Sequence, residues 1–249
     1  MSIDRRRLRD ETLLVLGVSL GYSAIYSLVD IVGKLTAVVP LASQTTTLNP
    51  SRASGRPALD LAFQLVEIFF GIVPALLALH LLAREGPMDL LGLRNRKTRF
   101  DIGWGVGLAA AIGIPGLAFY FASRALGINT TVVPEALPLV WWTVPVLILS
   151  AVQNAFLEEV VVVGYLVERL RGLSWSLPWA IVASALLRGS YHLYQGIGGC
   201  IGNMVMGAVF AIFFVRTRRV GPLIVAHAII DSVAFVGYAF AHGHWAILS

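Results

Sequence analysis

Apolar residues run along this chain in stretches of about twenty, separated by short polar or basic connections, and that pattern predicts membrane-spanning helices. The stretches fall at about 12–33, 59–83, 102–125, 141–170, 178–194, 197–215 and from 222 onward. Seven spans are therefore expected, with eight as the alternative, because the turn at Gln195-Gly196 is weakly marked. The fold class that follows is all-α, a polytopic transmembrane helical bundle. No polar block is long enough to fold separately, so residues 1–249 are read as a single integral membrane domain. The third stretch carries Gly103, Gly105, Gly107, Gly113 and Gly116, a small-residue pattern that lets helix backbones approach, with Pro115 as an expected kink. The fourth is longer than a bilayer needs, which implies a tilt, a kink near Pro145, or a protruding end.

The connections orient the bundle. Arg5, Arg6, Arg7 and Arg9 precede the first stretch, and Arg84, Arg94, Arg96, Lys97 and Arg99 follow the second. Glu168, Arg169 and Arg171 end the fourth, and Arg216, Arg218 and Arg219 close the sixth. By the excess of cations in cytoplasmic loops, the N-terminus is expected in the cytoplasm of a multi-pass cell-membrane protein. With seven spans His242 and His244 then lie outside. The polar segments at 43–57 and 129–138 read as outer loops, and Trp141-Trp142 as an interfacial anchor. Asp30 and Lys34, four residues apart, are placed to pair. The first stretch is too long for a cleaved leader, and is read as a retained span.

Composition agrees. Hydrophobic residues make up 57% and charged residues 13%, against about 45–50% and about 25% in soluble domains, and the mean hydropathy is +0.78. The net charge of +5 could suggest a nucleic-acid partner, but the cations cluster between apolar runs and membrane topology accounts for them. Cys200 is the one cysteine, read as a small packing residue.

Against this apolar background the ionisable residues inside the stretches stand out: Glu67, Glu158, Glu159, Arg188, His192, His227 and Asp231, with His80 nearer an end. A carboxylate at bilayer depth costs about 2.5–3.5 kcal/mol on insertion scales, so adjacent acids need partners or a wet cavity. Glu158 and Glu159 are about 100° apart on a helix, so one faces a cavity while the other turns to a neighbour. His227 and Asp231 share a face at i, i+4, as do Arg188 and His192. Arg188 needs an anion, with Glu159 and Asp231 as candidates. Asn154, one turn before Glu158, is placed to hydrogen-bond across the same cavity. A buried carboxylate beside an imidazole can activate water, while a second imidazole and Asp231 orient a carbonyl or hold an oxyanion. The same inventory can hold a divalent metal such as zinc, with His192, His227 and Glu158 as ligands. There is no His-Glu-x-x-His motif, and a metal-free glutamate mechanism is equally allowed. A buried ion-pair network that only ties helices together is the structural alternative.

At these residues the chain resembles the CPBP family, the CAAX prenyl endopeptidases and bacteriocin-processing intramembrane proteases also called the Abi family. The family's Glu-Glu-x-x-x-Arg motif is met by Glu158-Glu159 and the following Gly164, with Val163 in place of arginine. Its Phe-x-x-x-His motif corresponds to Arg188-Gly189-Ser190-Tyr191-His192, which keeps the histidine. Its His-x-x-x-Asn/Asp motif is met in full by His227-Ala228-Ile229-Ile230-Asp231. The likeness covers 141–238, the catalytic core, with a looser echo at Leu91-Gly92-Leu93-Arg94. It implies an intramembrane endopeptidase acting on a peptide or protein substrate within membrane lipid. Glu158 and His192 would activate water, and His227 and Asp231 would support the tetrahedral intermediate. Because the first motif lacks its arginine, Arg188 is expected to supply the charge for Glu159 from the neighbouring helix. Two other functions fit the same residues: an inactive membrane binding or immunity protein of the same fold, and a proton-coupled carrier.

Overall fold

The computed structural model describes residues 5–83, 91–94, 97–138 and 140–241. Arg84, Arg96, His242 and His244, which the topology argument used, lie outside the described residues. The first apolar stretch forms two helices, α1 (Arg5–Gly17) and α2 (Leu20–Leu35), bent by 54° at the break between them. At that break the Ser19 hydroxyl donates to the Val15 carbonyl at 2.5 Å, the back-bonding that competes with the helix ladder and bends it. Then follow α3 (Pro57–Ala83), α4 (Thr98–Ala125), α5 (Thr143–Glu158), a π-helical segment Glu159–Tyr165, α6 (Leu166–Gly172), α7 (Leu177–Ser190), α8 (Ile197–Thr217) and α9 (Gly221–Ala241).

Among the described residues five helices are long and apolar enough to cross a bilayer: α3, α4, the continuous Thr143–Gly172 rod, α8 and α9. The bent α1–α2 pair would make a sixth. The expected fifth span is shorter than its apolar stretch. Helix α7 has 14 residues, about 21 Å of rise against a hydrocarbon core of about 30 Å. It stops at Ser190, and Tyr191 and His192 lie in the turn beyond it. Pro145 lies in the first turn of α5, and the change of helical register in this rod is the π-helical segment further on.

Successive connections gather at alternate ends. At one end, the segments read as loops contain strands β1 (Thr45–Pro50) and β2 (Thr131–Ala136), paired in parallel with Thr45 opposite Thr131. Their Thr-Thr-Thr and Thr-Val-Val runs suit extended backbone, and the α3–α4 hairpin supplies the crossover that a parallel pair needs. The α7–α8 turn joins this layer: Thr130 N–H donates to the Gln195 carbonyl at 2.9 Å, and Asn129 bridges Gly196. Gly196 has φ +117°, and a Cβ there would stand 2.7 Å from the Asn129 Cα, so glycine is required. Lys34 pairs with Asp30 at 2.8 Å and donates to Thr46 Oγ1 and to the Tyr194 carbonyl, tying α2 to the same turn. At the other end, Val220 N–H donates to the Leu91 carbonyl at 3.0 Å, and Arg219 grips Asp101 through two nitrogens at 2.8 and 2.7 Å.

The core lies around the Thr143–Gly172 rod, where Val160, Val161, Val162 and Val163 are fully buried. Of the five glycines in α4, two meet α9. A Cβ on Gly105 would press into Val225 and one on Gly113 would touch Ile230, whereas Gly103, Gly107 and Gly116 face open space. Cys200 packs its backbone and sulfur against Gly189 of α7.

Candidate active site

The site begins where α5 changes its hydrogen-bonding register. From Glu159 the helix is π-helical through Tyr165, a widened turn that runs through four β-branched valines. Ser184 of α7 donates to the Val162 carbonyl at 2.8 Å, so a neighbour satisfies a backbone acceptor within the distortion. Gly164 lets Leu91 and Val220 close on the segment from the basic end; a Cβ there would lie 2.9 and 3.2 Å from their methyl groups.

This register brings both acids to one cation. Arg188 Nη2 donates to Glu159 Oε1 at 2.7 Å and stands 3.2 Å from Glu158 Oε2. Glu159 turns to the neighbouring helix and is fully buried, while Glu158, whose side chain keeps some exposure, reaches the same guanidinium from the more open side. Arg188 itself sits in the last turn of α7 and is fully buried. Its guanidinium lies 5.4 Å from the Phe210 ring centroid, and its stem fills the space left by Gly207, where a Cβ would be 2.9 Å from Arg188 Cδ.

From α9, His227 closes the cluster. Its Nδ1 is 2.7 Å from Glu159 Oε1 and 3.0 Å from Arg188 Nη2, and its Nε2 faces Asp231 Oδ2 at 3.5 Å. Glu159 and Arg188 are sealed from solvent, while the Glu158 and Asp231 side chains keep 12% and 21% of their surface exposed. The cluster thus has a closed floor and an open rim. Tyr191 spans the two, its hydroxyl donating to Glu158 Oε2 at 2.7 Å. With Oε2 engaged by Tyr191 and Arg188, Oε1 is the oxygen of Glu158 left for another partner.

His192 is held differently from His227. Its Nδ1 is 2.9 Å from the Arg188 carbonyl, and since a carbonyl only accepts, Nδ1 carries the hydrogen and Nε2 holds the lone pair. Its depth explains why His192 is not the residue that meets His227. It lies past the end of α7, and Arg188, one turn earlier, reaches across instead. Asn154 is half-buried and has no hydrogen-bond partner among the described residues, so the expected contact across the cavity is not formed. Glu67 pairs with Arg52 at 2.7 Å away from the cluster, and His80 is exposed.

Among the described residues the one group whose ligand atoms converge as a metal site would need is Glu158, Glu159 and His227, rather than the expected His192, His227 and Glu158. That group does not fit a divalent ion. Arg188 Nη2 already stands 2.7–3.2 Å from an atom of each residue, where zinc would need ligand distances of about 2.0–2.2 Å and would face a fixed positive charge.

Sequence reasoning passed over Tyr191, although a tyrosine flanked by Arg188 and His192 at membrane depth must find a hydrogen-bond partner. It also passed over Gly207 and Phe210, whose part shows only once α8 is packed on α7.

A helical bundle with acids, an arginine and imidazoles gathered from α5, α7 and α9 defines a polytopic membrane protein with a buried acid–base centre. Residues 140–233 match the family model described as Rce1-like, type II CAAX prenyl endopeptidase Rce1-like, a likeness that supports a CPBP or CAAX protease assignment for this segment. The match spans α5 through most of α9 and includes each of the site residues named above. No curated protein and no solved structure matches the chain.

Proposed function

We propose that the protein is an intramembrane endopeptidase that hydrolyses a peptide bond with water activated by Glu158 and His192. The observation that supports this most is the polarity of the cluster: a sealed Glu159–Arg188 floor beneath an open rim at which Glu158 keeps one oxygen available. In this reading a water between Glu158 and His192 loses a proton to the carboxylate, and its oxygen attacks the scissile carbonyl carbon. The oxyanion so formed is held by His227 Nε2, with Glu159 behind the ring on Nδ1 and Asp231 beside Nε2 at 3.5 Å. When the C–N bond breaks, the proton on Glu158 passes to the departing amine. Such acid–base help contributes roughly 10²–10⁴-fold. Arg188 and Tyr191 position Glu158 and keep the buried charges paired.

In the same reading the basic end, with Arg5, Lys97, Arg99, Arg171 and Arg219, faces the cytoplasm at the cell membrane, because cations are in excess on that side, and the N-terminus lies with it. Purified protein in proteoliposomes should cleave a helical membrane peptide, while Glu158→Gln and His192→Ala should each abolish cleavage and leave thermal unfolding near that of the parent. Retained turnover in either variant would remove the assignment.

A further inference from the structure

We propose that the groove between α1 and α6 at the basic end binds one anionic phospholipid. The groove has a volume of about 460 Å³, within the range of about 300–1,000 Å³ found for ligand sites. Its mouth is formed by Arg5, Arg6 and Arg9, and its walls include Leu16, Leu170 and Trp175. It shares no residue with the acid cluster and does not depend on the peptidase reading.

The walls are built by the fold. The 54° bend after Gly17 swings α1 away from the line of α2, while Gly172 lets it approach α6: a Cβ there would lie 2.9 Å from Leu8. Arg5 donates to Ser174 Oγ at 3.0 Å, which ties the start of α1 to the turn after α6. Leu8, Thr12 and Val15 face inward, and Leu13 is left exposed toward the groove.

Charge and polarity together select the occupant. A phosphate alone would find the arginines but would leave the leucine walls of the groove without an apolar partner. An acyl chain alone would bring no anion to the arginine rim. Among the described residues Arg5 donates to a neutral hydroxyl, and Arg9 pairs with Asp10 in a contact in which both side chains are more than half exposed, where such pairs hold weakly. A lipid with an anionic headgroup and a hydrocarbon tail satisfies rim and wall at once, as basic pockets between membrane helices do elsewhere.

The full chain in neutral detergent should retain one phosphatidylglycerol in native mass spectrometry and should bind it more tightly than phosphatidylcholine. Cations near a membrane surface each strengthen such binding several-fold, so Arg5→Gln, Arg6→Gln and Arg9→Gln combined should weaken it roughly 30- to 100-fold. Arg7→Gln on the same helix removes equal charge per site but does not line the groove, and should change affinity less than threefold. Filling the groove with Leu16→Trp should also displace the lipid while every arginine remains. Equal binding of phosphatidylcholine, or a loss with Arg7→Gln as large as with any single groove arginine, would overturn the proposal. So would stabilisation of the protein by inorganic phosphate as great as by phosphatidylglycerol.

Discussion

The Thr143–Gly172 rod and the α3 and α4 helices are all apolar enough to span a membrane, yet they live in opposite surroundings. In the most apolar stretch of the rod 56% of residues are buried within the protein, against 17% for α3 and 11% for α4. Hydropathy reports how well a helix tolerates hydrocarbon, and lipid and protein interior are equally apolar, so it does not distinguish the two. Charge beyond the first turn of each helix does separate α3 from the rod; Asp60, buried at the start of α3, is held by the loop at residues 51–53. On α3, Glu67 meets Arg52 with both side chains half-exposed, and His80 is exposed. On the rod, Glu159 is fully buried and bonded to two other helices. The family match covers the rod and the helices that follow it, α7 to most of α9.

That contrast can be attacked directly. The largest effect is expected at the open rim: Glu158→Gln should cut peptide cleavage by roughly 10²–10⁴-fold with little change in the melting curve, measured on protein reconstituted in liposomes. At the floor, Arg188→Ala should act on stability first. It leaves Glu159 buried without its cation, and removing one partner of a buried pair costs about 3–5 kcal/mol, readable as a collapse of thermal unfolding in detergent. Tyr191→Phe lies between these two. Losing a hydrogen bond to a charged group, about 1.5–3 kcal/mol, should lower turnover tenfold or more while the fold persists.

Packing provides a smaller test of the same distinction. Gly164→Ala puts a methyl group 2.9 Å from Leu91 and should destabilise by about 1–3 kcal/mol, whereas Gly107→Ala, with nothing within 4 Å, should be neutral or stabilise by about 0.5–1 kcal/mol. Melting temperatures of the two variants side by side would decide. The smallest effect belongs to the outer pair: Glu67→Gln should cost less than about 1 kcal/mol by the same assay, since exposed ion pairs contribute little. A penalty there comparable to that of Arg188→Ala would erase the inner–outer difference.

Much of this molecule could be read from the chain alone because its determinants are local. An apolar run of about twenty residues declares a membrane helix whatever it packs against, and His227 and Asp231 share a face because an α-helix repeats every 3.6 residues. The acids, Arg188 and the two histidines were conspicuous because charge in hydrocarbon is costly anywhere. The remainder depended on contacts distant in sequence. Only packing set the register change at Glu159 that turned both acids to one guanidinium, and only the depth at which α7 ends gave His227 to Arg188 rather than to His192. The parallel strand pair needed partners 86 residues apart, Thr45 and Thr131. Periodicity carries no information about distances between helices, and the chemistry of this site is set by those distances.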